Sequence, residues 1–346
     1  MLFPVCMNTS FMNFFAPIHI ENLQPPIQYG DRILLIGSCF TEHIGNALAE
    51  HKFNVLQNPN GILFDPASVY NAIVSYINYQ PHAEEDLVYL NELWQSWEYH
   101  SRYSGVDQQT VLSKINESRQ QAHEFLKTAD WLIVTLGSSF SYRLNDNNPE
   151  SRFNQLKVAN CHRAPGQWFD KKMLSIEEII MLLDNSYHRL RLFNPALKIL
   201  FTISPVRHLR DGVVDNNRSK ARLIEAVHRI VNKFPAAYYF PAYELVIDVL
   251  RDYRFYDVDL AHPNYAATEF VLEKFTTHCI DEASRQLMKE VKQIALARKH
   301  RAFQPETNAH KAFLRTHYEK AKVLAEKYSF LDMTEDIQYF SNAEDK

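Results

Sequence analysis

Five short apolar runs constrain the fold of this chain more than any other feature: Arg32–Ile36, Phe53–Leu56, Trp131–Leu136, Leu197–Ile203 and Ala237–Phe240. Each has the length of a strand, several are rich in β-branched or aromatic residues, and three end at Gly or Ser-Pro. The segments between them repeat with helical period. Ile44, Ala47 and Leu48 fall at i, i+3 and i+4, as do the Ile179–Leu182 and Ile180–Leu183 pairs with their neighbours. Further helices are expected at Ala67–Tyr79, Gln109–Thr128 and Ser219–Phe234. Strands separated by helices require crossovers, and crossovers make a mostly parallel sheet covered on both faces. The expected fold is therefore α/β: a three-layer α/β/α sandwich around a mostly parallel five-stranded sheet.

Only 8 glycines occur, and none lies beyond Gly212. The last third lacks tight-turn chemistry and carries long amphipathic stretches, Tyr265–Leu296 and Ala309–Tyr328. We read residues 1–290 as the α/β domain and 291–346 as a helical C-terminal extension, which either packs on the core or mediates self-association.

A net charge of -4 without a basic stripe argues against nucleic acid as a partner, and Arg298 to Arg301 reads as a solvated helix end. No run approaches the roughly 18 apolar residues a membrane helix needs, so no membrane partner is expected. Lys and Arg are absent before Arg32, which leaves the apolar start without the charged region of a signal peptide. Met7 and Met12 are candidate alternative starts, between which the sequence does not decide. The cysteines Cys6, Cys39, Cys161 and Cys279 form no CxxC pair, favouring a reducing, cytoplasmic setting. No HExxH, Cys/His quartet or glycine-rich phosphate loop occurs, so neither metal nor cofactor is expected. Nothing in the sequence fixes the oligomeric state.

Active groups of a parallel sheet gather at the C-terminal edge of its strands. Gly37-Ser38, Gly137-Ser138 and Ser204-Pro205 all fall there. In Ile33–Glu42 an apolar strand runs into Gly-Ser and a helix follows almost at once. Such a serine sits above the sheet beside helix-terminal amides suited to an oxyanion. The plainer reading makes Ser38 or Thr41 a helix cap. Cys39 is a rival nucleophile, but the residue after the turn's serine should point into packing.

Asp259 and His262 follow the last strand, three residues apart in a loop. A carboxylate there can accept from one imidazole nitrogen and leave the other as general base. Pro263 suits a first helical turn just after the histidine.

A serine after the first strand with D-x-x-H after the last resembles the SGNH (GDSL-type) hydrolase superfamily. More narrowly, Gly37-Ser38-Cys39-Phe40-Thr41 resembles the signature of the GSCFA family, with threonine where alanine is usual. Asn58-Pro59-Asn60-Gly61, Val158–His162, Ser204–His208 and Asp252–Tyr256 resemble the same family, together spanning about residues 30 to 275. The resemblance implies an SGNH/flavodoxin-like sandwich and a catalytic triad, but no substrate. It matches Ser38 to the nucleophile and Asp259 with His262 to the base pair. It also matches the amides of Ser38 and Gly61 to the oxyanion hole. The superfamily's G-x-N-D is replaced by Gly137-Ser138-Ser139-Phe140, and its oxyanion asparagine is absent. Ser139 in its place, or Asn160 from the following segment, are the candidate donors, although Asn160 reads equally as a turn residue.

Arg207 and His208 end the fourth strand and are candidates, with His162, for holding an anionic or sugar-bearing substrate. The plain alternative pairs Arg207 with Asp211. Trp94, Trp97, Tyr99 and Tyr103 read as a packed insertion rather than a sugar platform. The expected activity is hydrolysis of a small-molecule or carbohydrate ester through an acyl-enzyme. The alternatives are an acyltransferase on the same triad and a catalytically weak binding or scaffold protein of the same fold.

Overall fold

The computed structural model describes residues 16–344. Cys6, Met7 and Met12 lie outside them. Among the described residues ten strands occur in chain order: β1 Arg32–Gly37, β2 Asn54–Gln57, β3 Val88–Leu90, β4 Leu93–Gln95, β5 Trp131–Leu136, β6 Phe140–Leu144, β7 Lys157–Val158, β8 Phe169–Met173, β9 Lys198–Ile203 and β10 Ala237–Phe240. The α-helices are α1 Cys39–Glu50, α2 Pro66–Asn78, α3 Gln108–Lys127, α4 Ile176–Phe193, α5 Val213–Lys233, α6 Ala242–Glu244, α7 Tyr265–Cys279, α8 Glu282–Lys299, α9 Asn308–Lys327 and α10 Thr334–Glu344.

The five apolar runs form one parallel sheet in the order β10-β9-β5-β1-β2. Side chains alternate between its faces. Ile33, Leu35 and Ile133 enter one apolar cluster, while Leu34, Ile36 and Val134 enter the other. Helices α2, α4 and α5 cover the second face; α1, α7 and α8 cover the first. This is the expected three-layer sandwich. No helix among the described residues is long and apolar enough to cross a membrane.

Local chemistry sets the helix starts. Asp65 caps α2 by accepting from the amides of Ala67 and Ser68, with Pro66 at the first helical position. Ser175 and Glu178 close a capping box on α4. The stretch read as one helix from Tyr265 divides, because Ile280 is extended and bridges Ile27, and Asp281 caps a new helix. Helix α5 starts at Val213, six residues before the expected Ser219, and its first residues carry no apolar stripe.

Two small sheets lie outside the expected set: the β3–β4 hairpin and the antiparallel β7-β6-β8. They pack with Trp97, Tyr99 and Tyr103, which are buried, so the aromatic cluster is a packed insertion. The C-terminal helices pack on the core. Leu314, Leu324 and Phe340 share one cluster with Leu48 and Phe53, and Lys52 reaches Asp336 at 2.9 Å.

Candidate functional site

Parallel register brings the three strand ends together. Gly37 lies opposite Thr135, and Leu136 opposite Ile203, so Ser38, Ser138 and Ser204 follow along one edge. Gly37 has φ +141°, and a Cβ there would come 2.1 Å from the Thr135 carbonyl oxygen. Only glycine allows β1 to turn so closely against β5. The Asn58 side chain accepts from the Gly37 amide at 2.9 Å, fixing the loop after β2 to the turn.

Ser38 occupies the N-cap position of α1, yet its side chain makes no capping bond. It is 1% exposed, and its Oγ has no hydrogen-bond partner among the described residues. Thr41 does not cap with its side chain either, since its hydroxyl is also buried and without a partner among the described residues. Burial pushes the neighbouring Cys39 thiol up, against the pull of the amides of Phe40 and Cys39. It is therefore a protonated packing residue at neutral pH.

Asp259 and His262 form the expected pair. His262 Nδ1 lies 2.6 Å from Asp259 Oδ2, while Asp259 Oδ1 accepts from the amides of Ala261 and His262. These bonds, the His262 amide first, hold the Asp259 carboxyl down at about 2. The pair is half-exposed, and His262 Nε2 is left for other work. The Arg207 amide donates to the Ala261 carbonyl at 3.1 Å, which ties the loop carrying His262 to the segment that follows β9. Ser38 and His262 are not hydrogen-bonded to each other.

The expected oxyanion donors are placed as follows. The Ser38 amide donates to the Thr135 carbonyl at 3.1 Å and the Gly61 amide to the Asn58 carbonyl at 2.7 Å. Ser139 is fully buried, its Oγ without a partner among the described residues and its amide bonded to Ser219 Oγ at 2.7 Å. Asn160 Oδ1 accepts from the His162 amide at 2.8 Å, the work of a turn residue.

His162 is buried against Trp97, with Nε2 2.8 Å from the Ser96 carbonyl and Nδ1 3.3 Å from Ser101 Oγ. Both ring nitrogens are thus taken up in the insertion. Arg207 stacks 4.4 Å from the Tyr256 ring centroid and 5.1 Å from that of Tyr253. Asp211 pairs with Lys171 instead. His208 meets Phe64 edge-on, and burial holds its imidazole down at about 4, so it is neutral at pH 7.

The GSCFA family model matches residues 32–275, and the model described as GSCFA domain protein, C-terminal domain, matches residues 291–345. The chain belongs to the GSCFA family. No curated protein matches it.

In this GSCFA chain a polar stripe on α5 ties the site together, and the sequence reading does not single it out. Asn216, Ser219 and Lys220 are all buried, at i, i+3 and i+4. Asn216 Oδ1 accepts from the His208 amide at 2.9 Å, and Ser219 Oγ from the Ser139 amide. Lys220 Nζ donates to the carbonyls of Gly137 and Ser204, both at 2.6 Å. One helix face thereby braces the ends of β5 and β9. The signal in the sequence is the polar residues at positions where a helix covering a sheet should be apolar. Asn58, inside the GSCFA-like Asn58–Gly61 stretch, is the other residue whose role appears only in the fold.

Proposed function

We propose that the chain is a serine-dependent ester hydrolase of SGNH type acting through an acyl-enzyme. The observation that carries this reading is the Ser38 hydroxyl. It stands at a helix N-cap, where a serine ordinarily bonds the second or third amide, and among the described residues it bonds nothing. The Asp259–His262 pair, in the loop tied to Arg207 after β9, supplies a base whose tautomer is set by the 2.6 Å contact. In the proposed cycle His262 Nε2 takes the Ser38 proton and Oγ attacks the ester carbonyl. His262 then protonates the leaving alcohol, and water repeats the sequence to release the acid. The acyl group is unidentified, and carbohydrate-linked esters belong in the substrate screen. Purified protein should hydrolyse short p-nitrophenyl esters, with Ser38→Ala abolishing turnover; equal activity in the variant would sink the proposal.

A second reading, a binding or scaffold protein of the same fold, is favoured by one observation. The Ser38 and Gly61 amides are both spent on internal carbonyls. A fluorophosphonate probe separates the two, since a scaffold leaves Ser38 unlabelled. Transfer to an added hydroxyl acceptor faster than hydrolysis would mark an acyltransferase.

A further inference from the structure

Lys220 is 1% exposed and sits behind the proposed nucleophile. Its Nζ bonds the Gly137 carbonyl, and a Cβ on Gly137 would lie 3.3 Å from Ser38 Cβ. One residue therefore separates the ammonium from Ser38. Among the described residues no carboxylate forms an ion pair with it. The titratable groups that face it are Cys39 from α1, His208 from the loop after β9 and Tyr243 from α6, whose ring centroid is 5.9 Å from Nζ. None is anionic at neutral pH: burial pushes the thiol and the phenol up and the imidazole down. An unpaired cation buried this deeply is costly, and two strand-end carbonyls can be satisfied by neutral donors.

We propose that Lys220 is a positioning residue whose ammonium, held against the Gly137 turn, stabilises the anion formed when Ser38 attacks. The proposal rests on the hydrolase reading above. As Oγ bonds the acyl carbon, the carbonyl electron pair moves onto oxygen and the Ser38 proton goes to His262. Lys220 neither gains nor loses a proton. In a dry site a preorganised charge acts far more strongly than in water, and this one does part of the work of the absent asparagine. Burial also pulls the Lys220 amine down to about 7, so its charge is present below that pH and lost above it. The reaction at Ser38 then acquires an alkaline limb.

The test is the rate of Ser38 labelling by a fluorophosphonate between pH 6 and pH 9, in wild type, Lys220→Met and Lys220→Arg. Wild type should slow above neutrality. Lys220→Met should label about 10²-fold slower at pH 6.5 with no alkaline limb, the order expected for losing one oxyanion donor. Lys220→Arg should recover much of the rate and remove the limb. Wild-type rate and limb in folded Lys220→Met would overturn the role of Lys220 and leave the hydrolase reading standing. Wild-type protein that does not label at Ser38 overturns both. Should the variants not fold, the wild-type limb is compared with the ionisation of Lys220 followed by ¹⁵N NMR of Nζ. Coincident midpoints support the proposal, and separate ones overturn it.

Discussion

The Asp259 carboxylate holds His262 at two points: Oδ2 lies 2.6 Å from Nδ1, and Oδ1 accepts from the backbone amide of the same residue at 3.0 Å. Ring and backbone are thereby fixed by one side chain in a loop that is half-exposed. Position is achieved here by local bonding rather than by burial, as an Asx turn that also orients an imidazole.

Replacing that carboxylate should leave the loop folded but release the ring. Asp259→Asn is expected to lower kcat on p-nitrophenyl esters by about 10³–10⁴ with little change in KM, because the wrong imidazole tautomer is then favoured. Steady-state kinetics beside a circular dichroism spectrum checks this, and an unchanged kcat refutes it.

The same pair gives a pH expectation. Its carboxyl is held at about 2, below its ordinary value of 3.8. A depressed carboxyl contributes stability above the unfolded value and loses it as pH falls towards the folded one. The loop should therefore keep its structure at pH 5 and loosen between about pH 4 and pH 2. Carboxyl ¹³C shifts of Asp259 would show a midpoint near 4 if the bonds do not form.

Gly37→Ala places a methyl 2.1 Å from backbone oxygen at φ +141°. Backbone strain and overpacking add, so the cost should be about 2–5 kcal/mol in urea unfolding. A loss below about 0.5 kcal/mol would mean that the turn is not as tight as described.

Ser219→Ala removes the acceptor of the buried Ser139 amide. An orphaned donor costs about 1–3 kcal/mol. The same variant should slow Ser38 labelling less than Lys220→Met does, since the strand-end carbonyls keep their bonds to Nζ. Equal slowing would show that bracing, not charge, is what α5 supplies.

Phe340→Ala empties a fully buried site shared by the C-terminal helices and the core. Destabilisation of about 3–5 kcal/mol in one cooperative transition is expected. Two separate transitions by fluorescence and circular dichroism would contradict the shared packing.

All five core strands and most helices can be read before folding, because buried parallel strands are continuous apolar runs and their helices keep one apolar stripe. The reading fails where tertiary contacts overrule local pattern. Ile280 interrupts an amphipathic stretch because it pairs with Ile27, more than 250 residues away in the chain, and only Asp281 marks the break locally. Strand β8 carries Asp170, Lys171 and Lys172 on exposed backbone, so it shows no apolar run. In the site, Ser38, Asp259 and His262 stand out through spacing and type. Lys220 does not, since a lysine on a long helix looks like solvent-facing charge until the fold turns it inward.

The cluster that joins Leu48 and Phe53 to Phe340 also sets an order of events during synthesis. The sheet and its second face can assemble once β10 has left the ribosome. The outer part of the α1 face waits for residues 314–340. Until they emerge, the nascent protein carries an uncovered apolar surface beside an already formed β1–α1 turn, and it is there that a chaperone or premature aggregation would act first.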